Sequence, residues 1–302
     1  MTKSPMKIEV YLRDKKQIVE SGLERLMLAA HGPFSDHIEA MRYSLFVGGK
    51  RIRPVLCLAA AEAVSDDPRL LEALVPVACA IECIHTYSLI HDDLPAMDDD
   101  ELRRGRPTNH MVFGEAGAIL AGDALLTFAF ELLSTPIIEL APEAQLRIIN
   151  LIARAAGAEG MAGGQALDIA GENSELPFEK LQTIHSSKTG ALIRCCLEAG
   201  GIGAGAGQPQ LKCLSTYGTA IGLAFQIVDD LLDATATTEQ LGKTAGVDQQ
   251  RGKATYPAFF GIDKTRHLAR QAVDDAKSAL SPLGDRATPL ADLADYIYAR
   301  TH

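Results

Sequence analysis

Residues 89–100 have the sequence LIHDDLPAMDDD, and this acidic stretch is the strongest indicator of both fold and chemistry in the chain. It leaves an apolar run and then places five aspartates within nine positions. A second cluster, DDLLD at residues 229–233, also follows an apolar run. Carboxylates crowded beside apolar segments repel one another and lose hydration, and a bound cation offsets both costs. Together the two clusters predict a divalent-metal site between two helix ends.

The spacing within each cluster indicates how its carboxylates are arranged. Asp229 and Asp233 are one helical turn apart, so they should share a face. In the first cluster Pro95 disfavours helix at the residue before it, so we expect Asp98 to return towards Asp92 through a turn. Oxygen ligands of this kind suit Mg²⁺ or Mn²⁺. A solvated acidic helix end is the better explanation of either cluster alone, but a poor explanation of both.

Composition limits the class of protein. The net charge of −10 argues against non-specific binding to nucleic acid or to an anionic membrane surface. Aromatic residues make up only 5% of the chain and Trp is absent, so the core should consist of Ala, Leu, Ile and Val packed between helices. The six cysteines lack disulfide or zinc spacing and are expected to be reduced core residues. No signal peptide is recognisable, and a soluble cytoplasmic protein is expected.

Hydrophobic periodicity predicts a succession of helices and an all-α protein. A chain of 302 residues is long enough for two domains or for one large helical domain. No segment shows the alternation typical of β-strands. The predicted helices cover residues 6–30, 36–47, 55–64, 70–90, 115–133, 142–170, 178–199 and 210–232, followed by two amphipathic helices within 257–302.

Basic residues accompany the acidic ones. Lys50 and Arg53 come at the start of a predicted helix, where cations do not balance the helix dipole, so we expect them to bind an anion. Arg103 and Arg104 directly follow the first aspartate cluster. Because guanidinium groups bind phosphate oxygens in a bidentate manner, metals on one side and arginines on the other predict a pyrophosphate site. On these residues alone, His85 in its apolar helix is an ordinary core histidine.

These motifs together resemble those of the trans-isoprenyl diphosphate synthases, and most closely the bacterial farnesyl diphosphate synthases. The similarity implies one polyprenyl synthetase domain over residues 1–302, with the isoprenoid synthase fold of about ten helices around a central cavity. The segments that carry it are GGKRIRP (48–54), ECIHTYSLIHDD (82–93), DDDELRRGR (98–106), GQALD (164–168), KTG (188–190), FQIVDDLLD (225–233), GK (242–243) and residues 248–256.

The resemblance also implies roles for individual residues. Mg²⁺, about three ions per site with Mn²⁺ as an alternative, would be bound by Asp92, Asp98 and Asp229. The supporting aspartates would be Asp93, Asp230 and Asp233. The allylic diphosphate would be held by Arg103, Lys188, Thr189, Gln226, Lys243 and Lys253. Isopentenyl diphosphate would bind without metal at Lys50, Arg53, His85 and Arg104. Gln165 and Asp168 would order Lys188 and water.

The implied reaction joins isopentenyl diphosphate to dimethylallyl or geranyl diphosphate by ionisation, condensation and proton loss. The Lys188 carbonyl, the Thr189 hydroxyl and Gln226 would face the allylic cation, and the departing pyrophosphate would take the proton. Tyr87 lies five residues before Asp92, roughly 7.5 Å along a helix. With Ser88 beside it, Tyr87 is expected to close the cavity and set a C15 product, (E,E)-farnesyl diphosphate.

Three alternatives remain at this point. A geranylgeranyl diphosphate synthase would differ only in the floor of the cavity. A class I terpene cyclase would leave Lys50, Arg53 and His85 unexplained, because it needs no second diphosphate pocket. A non-catalytic partner subunit would be expected to have lost one aspartate cluster, and both are intact. The family also forms homodimers, so a homodimer is expected here.

Overall fold

The computed structural model describes residues 7–172, 176–235 and 254–299, and this part of the chain is almost entirely helical. The all-α prediction is confirmed. One short β-ladder was not predicted, a pair of two-residue strands, β1 (Leu102–Arg103) and β2 (Arg106–Pro107), that pair antiparallel. The helices are α1 (Ile8–Leu26), α2 (Ser35–Phe46), α3 (Ile52–Val64), α4 (Pro68–Ala73), α5 (Val75–Asp92), α6 (Asn109–Ser134), α7 (Pro142–Ala156), α8 (Met161–Gly171), α9 (Phe178–His185), α10 (Ala191–Gly203), α11 (Gln208–Thr235), α12 (Tyr256–Phe260), α13 (Ile262–Ala279) and α14 (Thr288–Ala299), with 3₁₀ turns at Gly32–Phe34 and Ser281–Ala287.

The core lies where α5 packs on α3 and α6, and where α10 packs on α3 and α11. Its side chains are mainly Ala, Leu, Ile and Val, as the composition predicted, and Cys57, Cys79, Cys83, Cys195 and Cys196 are buried among them as free thiols. Small residues allow close approach of the helices. A Cβ atom at Gly200 of α10 would lie 2.0 Å from the carbonyl oxygen of Cys57 in α3.

Within the described residues, three of the predicted helices are interrupted, and these predictions of a continuous helix were wrong. The segment 70–90 breaks at Leu74, between α4 and α5. The segment 142–170 breaks between α7 and α8, because Gly157 leaves the helix in an extended conformation. Gly160 then approaches the preceding turn so closely that a Cβ atom would lie 2.1 Å from the Ala155 carbonyl oxygen. The segment 178–199 contains a π-turn, Ser186–Gly190, between α9 and α10. The interruption at Ser186–Gly190 falls within the predicted site.

Among the described residues, three helical spans are long and apolar enough to cross a membrane: Pro68–Asp92, Asn109–Ser134 and Gln208–Thr235. In the first, 67% of the most apolar stretch is buried inside the fold, compared with 44% in the other two. Helix α6 in particular keeps an exposed apolar face, with Leu120 57% exposed. This face is a surface that a partner could cover.

Candidate active site

The first aspartate cluster is formed by the end of α5 and the turn that follows it. The Asp98 N–H donates to the Asp92 carbonyl at 2.8 Å, which confirms the predicted turn around Pro95. Burial raises the pKa of the Asp92 carboxyl to about 6. The nearby Asp98 and Asp93 raise this pKa further, whereas Lys188 opposes the shift. Crowded carboxylates of this kind are the donor set that a divalent cation would stabilise.

Asp93 binds Arg103 of the β-ladder. Its carboxylate is almost fully buried and accepts two hydrogen bonds from Arg103 Nε, at 2.8 and 2.9 Å. Burial raises the pKa of Asp93 although Arg103 acts in the opposite direction. Arg103 also lies 3.6 Å from Asp100. Asp93 therefore positions the guanidinium of Arg103 at the rim of the first cluster.

The second cluster lies at the end of α11. Asp229 and Asp233 are one helical turn apart on this regular helix, as predicted. Asp230 contacts the start of α12. Its carboxylate accepts a hydrogen bond from the backbone N–H of Tyr256 at 2.9 Å and another from Gln226 Nε2 at 3.2 Å. Asp230 therefore ties the start of α12 to α11.

The π-turn Ser186–Gly190 carries two predicted residues, Lys188 and Thr189, each of which is linked to one of the clusters. Lys188 Nζ donates to Asp168 at 2.7 Å, the contact expected of an ordering carboxylate. Thr189 Oγ1 donates to Gln226 Oε1 at 2.9 Å, and Gln226 in turn donates to Asp230. Since Lys188 also lowers the pKa of Asp92, the turn connects the first cluster with the second.

Glycines make this arrangement sterically possible. A Cβ atom at Gly164 of α8 would lie 2.2 Å from the backbone nitrogen of Lys188, and one at Gly222 of α11 would lie 3.0 Å from the Gly190 Cα. Gln165, next to Gly164, has a buried side-chain oxygen without a hydrogen-bond partner in the described part of the chain. The GQALD and KTG segments therefore meet because their glycines permit close contact.

The predicted residues of the metal-free diphosphate site surround one cavity of about 510 Å³, lined by Lys50, Arg53, His85 and Arg104 and by neighbours including Arg51, Glu82 and Tyr296. Arg53 Nη1 lies 3.2 Å from His85 Nε2. Burial lowers the pKa of His85 well below its usual value, and Arg53 and Arg104 lower it further. The imidazole is therefore neutral near pH 7.

Arg104 and Arg53 connect this cavity with its surroundings. Arg104 donates to the Gly48 carbonyl, and its guanidinium covers Gly49, where a Cβ atom would lie 2.6 Å from Nη1. Burial lowers the pKa of Arg53, and the carboxylates of Glu82 and Asp229 act in the opposite direction. The influence of Asp229 on Arg53 indicates that the basic cavity and the second aspartate cluster are neighbours.

The two residues predicted to limit chain length lie on α5. Tyr87 is half-buried, and its ring meets His91 edge-on with the centroids 5.7 Å apart. Burial raises the pKa of Tyr87, and Asp92 adds to the shift. Ser88 Oγ donates to the His85 carbonyl of its own helix at 2.9 Å. The phenol of Tyr87 is therefore the bulky group of this pair.

Lys243 and Lys253, predicted to bind the allylic diphosphate, lie outside the described residues. Within the described ranges, no three carboxylate, imidazole or thiol side chains converge into a complete metal site.

The sequence pattern of the polyprenyl synthetase family matches residues 36–281. The chain belongs to the polyprenyl synthetase family. This polyprenyl synthetase is 45% identical to farnesyl diphosphate synthase of Geobacillus stearothermophilus, over 98% of its own length and 99% of the relative's. It is 43% identical to geranylgeranyl diphosphate synthase of Cyanophora paradoxa, over 97% and 96% of the two chains. The crystal structure of an FPP/GFPP synthase from Zymomonas mobilis matches it with a TM-score of 0.85 at 41% identity, covering 96% of this chain and 98% of the other.

Membership of the family makes this polyprenyl synthetase a prenyltransferase, and therefore a transferase of isoprenoid biosynthesis. The family generally uses Mg²⁺. The names of the relatives differ in the length of the product, so the family alone leaves the chain length open.

Several contacts of this polyprenyl synthetase were not predicted from its sequence. The Asp93–Arg103 pair and the bond from the Tyr256 N–H to Asp230 are two of them. A third is the buried pair of Arg51 and Glu82, at 2.8 Å. One signal was available for the third, because a carboxylate inside an apolar helix requires a partner.

Proposed function

We propose that this prenyltransferase is a farnesyl diphosphate synthase that joins isopentenyl diphosphate to dimethylallyl or geranyl diphosphate. The observation that carries the proposal is that one π-turn is linked to both aspartate clusters, through Lys188 to the first and through Thr189 and Gln226 to the second, and that a separate basic cavity is present. One diphosphate would bind between the clusters and the other in the cavity. A terpene cyclase would have no use for the second site.

The first aspartate cluster fits Mg²⁺, because burial and mutual repulsion already disfavour its ionised form. Asp92, Asp98 and Asp229 would hold about three ions, with Mn²⁺ as an alternative, and Asp93, Asp230 and Asp233 would support them. When bound, Mg²⁺ would supply positive charge to the diphosphate leaving group. Mg²⁺ commonly completes its coordination with water and substrate phosphate. A site completed by water and phosphate fits the described carboxylates, which do not form a complete metal site by themselves.

The residues around Lys188 would assist cleavage of the allylic carbon–oxygen bond. Arg103 and Lys188, together with Lys243 and Lys253, would stabilise the negative charge that develops on pyrophosphate. A π-turn interrupts the regular backbone hydrogen bonding, which makes the Lys188 carbonyl a suitable dipole towards the allylic cation. Because the Thr189 hydroxyl donates its hydrogen to Gln226, its oxygen lone pairs would be available to the cation.

Isopentenyl diphosphate would bind in the basic cavity through Lys50, Arg53, His85 and Arg104. This cavity needs no metal ion, because its own guanidinium and ammonium groups match the charge of a diphosphate. Bound there, the double bond of isopentenyl diphosphate would attack the allylic cation. We assign the proton lost in the last step to the departing pyrophosphate.

Tyr87, with Ser88 as its neighbour, would limit the product to C15, since its phenol lies roughly 7.5 Å along α5 from Asp92. The test is incubation with isopentenyl and dimethylallyl diphosphates, with and without Mg²⁺, followed by chromatography of the prenyl alcohols. We expect farnesol with Mg²⁺ and no product without it. A C20 alcohol would establish the alternative, a geranylgeranyl diphosphate synthase. Absence of any condensation with Mg²⁺ would refute both.

A second copy of the chain would cover the exposed apolar face of α6, which carries Ile119 and Leu120. We expect a homodimer in solution, with each copy of residues 1–302 forming one polyprenyl synthetase domain. Leu120→Arg should yield monomers in light scattering, whereas Ile138→Arg, at a site 94% exposed outside α6, should leave the dimer intact. A dimer unaffected by Leu120→Arg would refute this surface.

The enzyme is proposed to be cytoplasmic, with no nucleic-acid partner and no stable membrane association, which cell fractionation would test.

A further inference from the structure

Arg51 is the most deeply buried basic residue of the KRIRP segment. Lys50 is exposed and Arg53 is half-buried where they line the cavity, whereas Arg51 at the edge of the same cavity is only 3% exposed. Its backbone is left-handed, with φ 53° and ψ 34°, which is unfavourable for a residue with a Cβ atom. Gly48 and Gly49 before it also have positive φ. The tight turn that presents the two outer cations is therefore strained at Arg51.

The side chain of Arg51 anchors this turn to two helices. Nη1 donates to Glu82 of α5 at 2.8 Å, and Nη2 donates to the Leu45 carbonyl near the end of α2 at 2.6 Å. A further carboxylate, Glu20, lies 3.8 Å from Nε, too far for a hydrogen bond. Two directed hydrogen bonds from one planar group fix the orientation of the arginine.

Glu82 is suited to hold this anchor. It is 2% exposed, and it precedes His85 by three residues on the same face of α5. Its Oε1 binds Arg51, and its Oε2 has no hydrogen-bond partner among the residues that the structure describes. A buried carboxylate is costly unless it is paired, so Glu82 strongly favours a single position of Arg51.

Resting on the proposed function of the cavity, we propose that the Arg51–Glu82 ion pair is a positioning element that orients Lys50 and Arg53 towards the metal-free diphosphate. Neither Arg51 nor Glu82 needs to contact the substrate. Their effect passes through the strained turn, which the pair holds between α2 and α5.

A positioning role and a simple charge effect predict opposite changes in diphosphate binding when Glu82 is replaced. Removing the carboxylate in Glu82→Gln makes the cavity more positive, so charge alone would strengthen binding of a diphosphate. Loss of positioning weakens it instead. We expect the KM for isopentenyl diphosphate to rise about tenfold or more, since hydrogen bonds to charged groups are among the stronger ones. The KM for the allylic substrate should stay within about twofold.

Two further variants keep the test valid if Glu82→Gln folds poorly. Arg51→Lys keeps the charge but loses the planar two-bond anchor, so it should also raise the KM for isopentenyl diphosphate. The double variant Arg51→Met with Glu82→Leu removes both charges at similar volume, a replacement that often preserves or improves stability. It should fold with a normal melting temperature and still bind isopentenyl diphosphate poorly.

Glu62→Gln is the matched control, because Glu62 is a half-buried carboxylate bound to Tyr11 and Lys15 between α1 and α3.

Turnover is measured at saturating concentration of one substrate while the other is varied, and binding of inorganic pyrophosphate is measured by calorimetry in EDTA. If the wild type binds metal-free pyrophosphate but forms no prenyl product, the proposed function fails while the positioning role can still be judged from the binding data. A folded double variant with wild-type pyrophosphate affinity would overturn the proposal. So would an equal rise of both KM values in Arg51→Lys.

Discussion

His185 should lower the free energy of unfolding of the enzyme in acid, and replacing His185 should remove this effect. It ends α9, immediately before the π-turn that carries Lys188, and its ring stacks on Tyr256 with the centroids 5.7 Å apart. Burial lowers the pKa of His185 from 6.5 to about 4, and Lys188 adds to this effect while Asp168 opposes it. The imidazole is therefore neutral in the folded enzyme.

The size of this loss of stability follows from the difference between the pKa of His185 in the unfolded chain, 6.5, and in the folded enzyme, about 4. Between pH 6.5 and about 4 the unfolded chain binds more protons than the folded one at this residue, so stability falls as the pH is lowered through this window. One pKa unit corresponds to about 1.4 kcal/mol, so the complete effect of His185 is about 3 kcal/mol. At pH 5 about 2 kcal/mol of this should already be lost relative to pH 7.

Urea denaturation of the wild type and of His185→Gln at pH 7 and pH 5 measures this effect. The wild type should lose about 2 kcal/mol more than the variant between the two pH values. Other groups, including Asp92 with its raised pKa, contribute equally to both proteins and cancel in the comparison. His267→Gln on the exposed side of α13 is the control and should behave as the wild type. An equal loss in the wild type and His185→Gln would show that the burial of His185 is not the source of acid sensitivity.

The remaining predictions concern the reaction itself. Tyr87→Ala should lengthen the product beyond C15 by removing the phenol below the first cluster, and an unchanged alcohol profile would contradict this. Asp168→Asn should lower kcat/KM about tenfold or more by releasing Lys188, because a hydrogen bond to a charged group contributes roughly 1.5–3 kcal/mol. The low pKa of His85 should rise when a diphosphate binds, so affinity for isopentenyl diphosphate should increase as the pH falls. His85→Gln should reduce that pH dependence, and proton uptake measured by calorimetry in two buffers would show whether it does.

The sequence predicted well those features that depend on local spacing. The turn that returns Asp98 to Asp92 was expected from Pro95, and the shared face of Asp229 and Asp233 from helical periodicity. Helix type was predictable for the same reason, since apolar residues repeat at the period of a helix throughout the chain.

Interruptions of the helices were harder to predict. Gly157 and Gly160 looked compatible with a continuous helix, because glycine is tolerated within helices at modest cost. What ends α7 is the extended backbone of Gly157, a conformation that glycine permits but that the neighbouring residues do not require. The π-turn at Lys188 depends on contacts between distant parts of the chain, because Gly164 of α8 and Gly222 of α11 pack closely against its backbone.

The two aspartate clusters show why a motif overstates the number of residues that can face a ligand. Successive residues of a helix point about 100° apart, so Asp230 cannot share the face of Asp229 and Asp233. It instead holds the Tyr256 N–H, a contact between residues 26 positions apart that no spacing rule predicts. Asp93 is similarly occupied by Arg103. In each cluster one carboxylate fixes the surrounding scaffold, so replacing Asp93 or Asp230 should disturb the position of Arg103 or of α12 before it disturbs the binding of a cation.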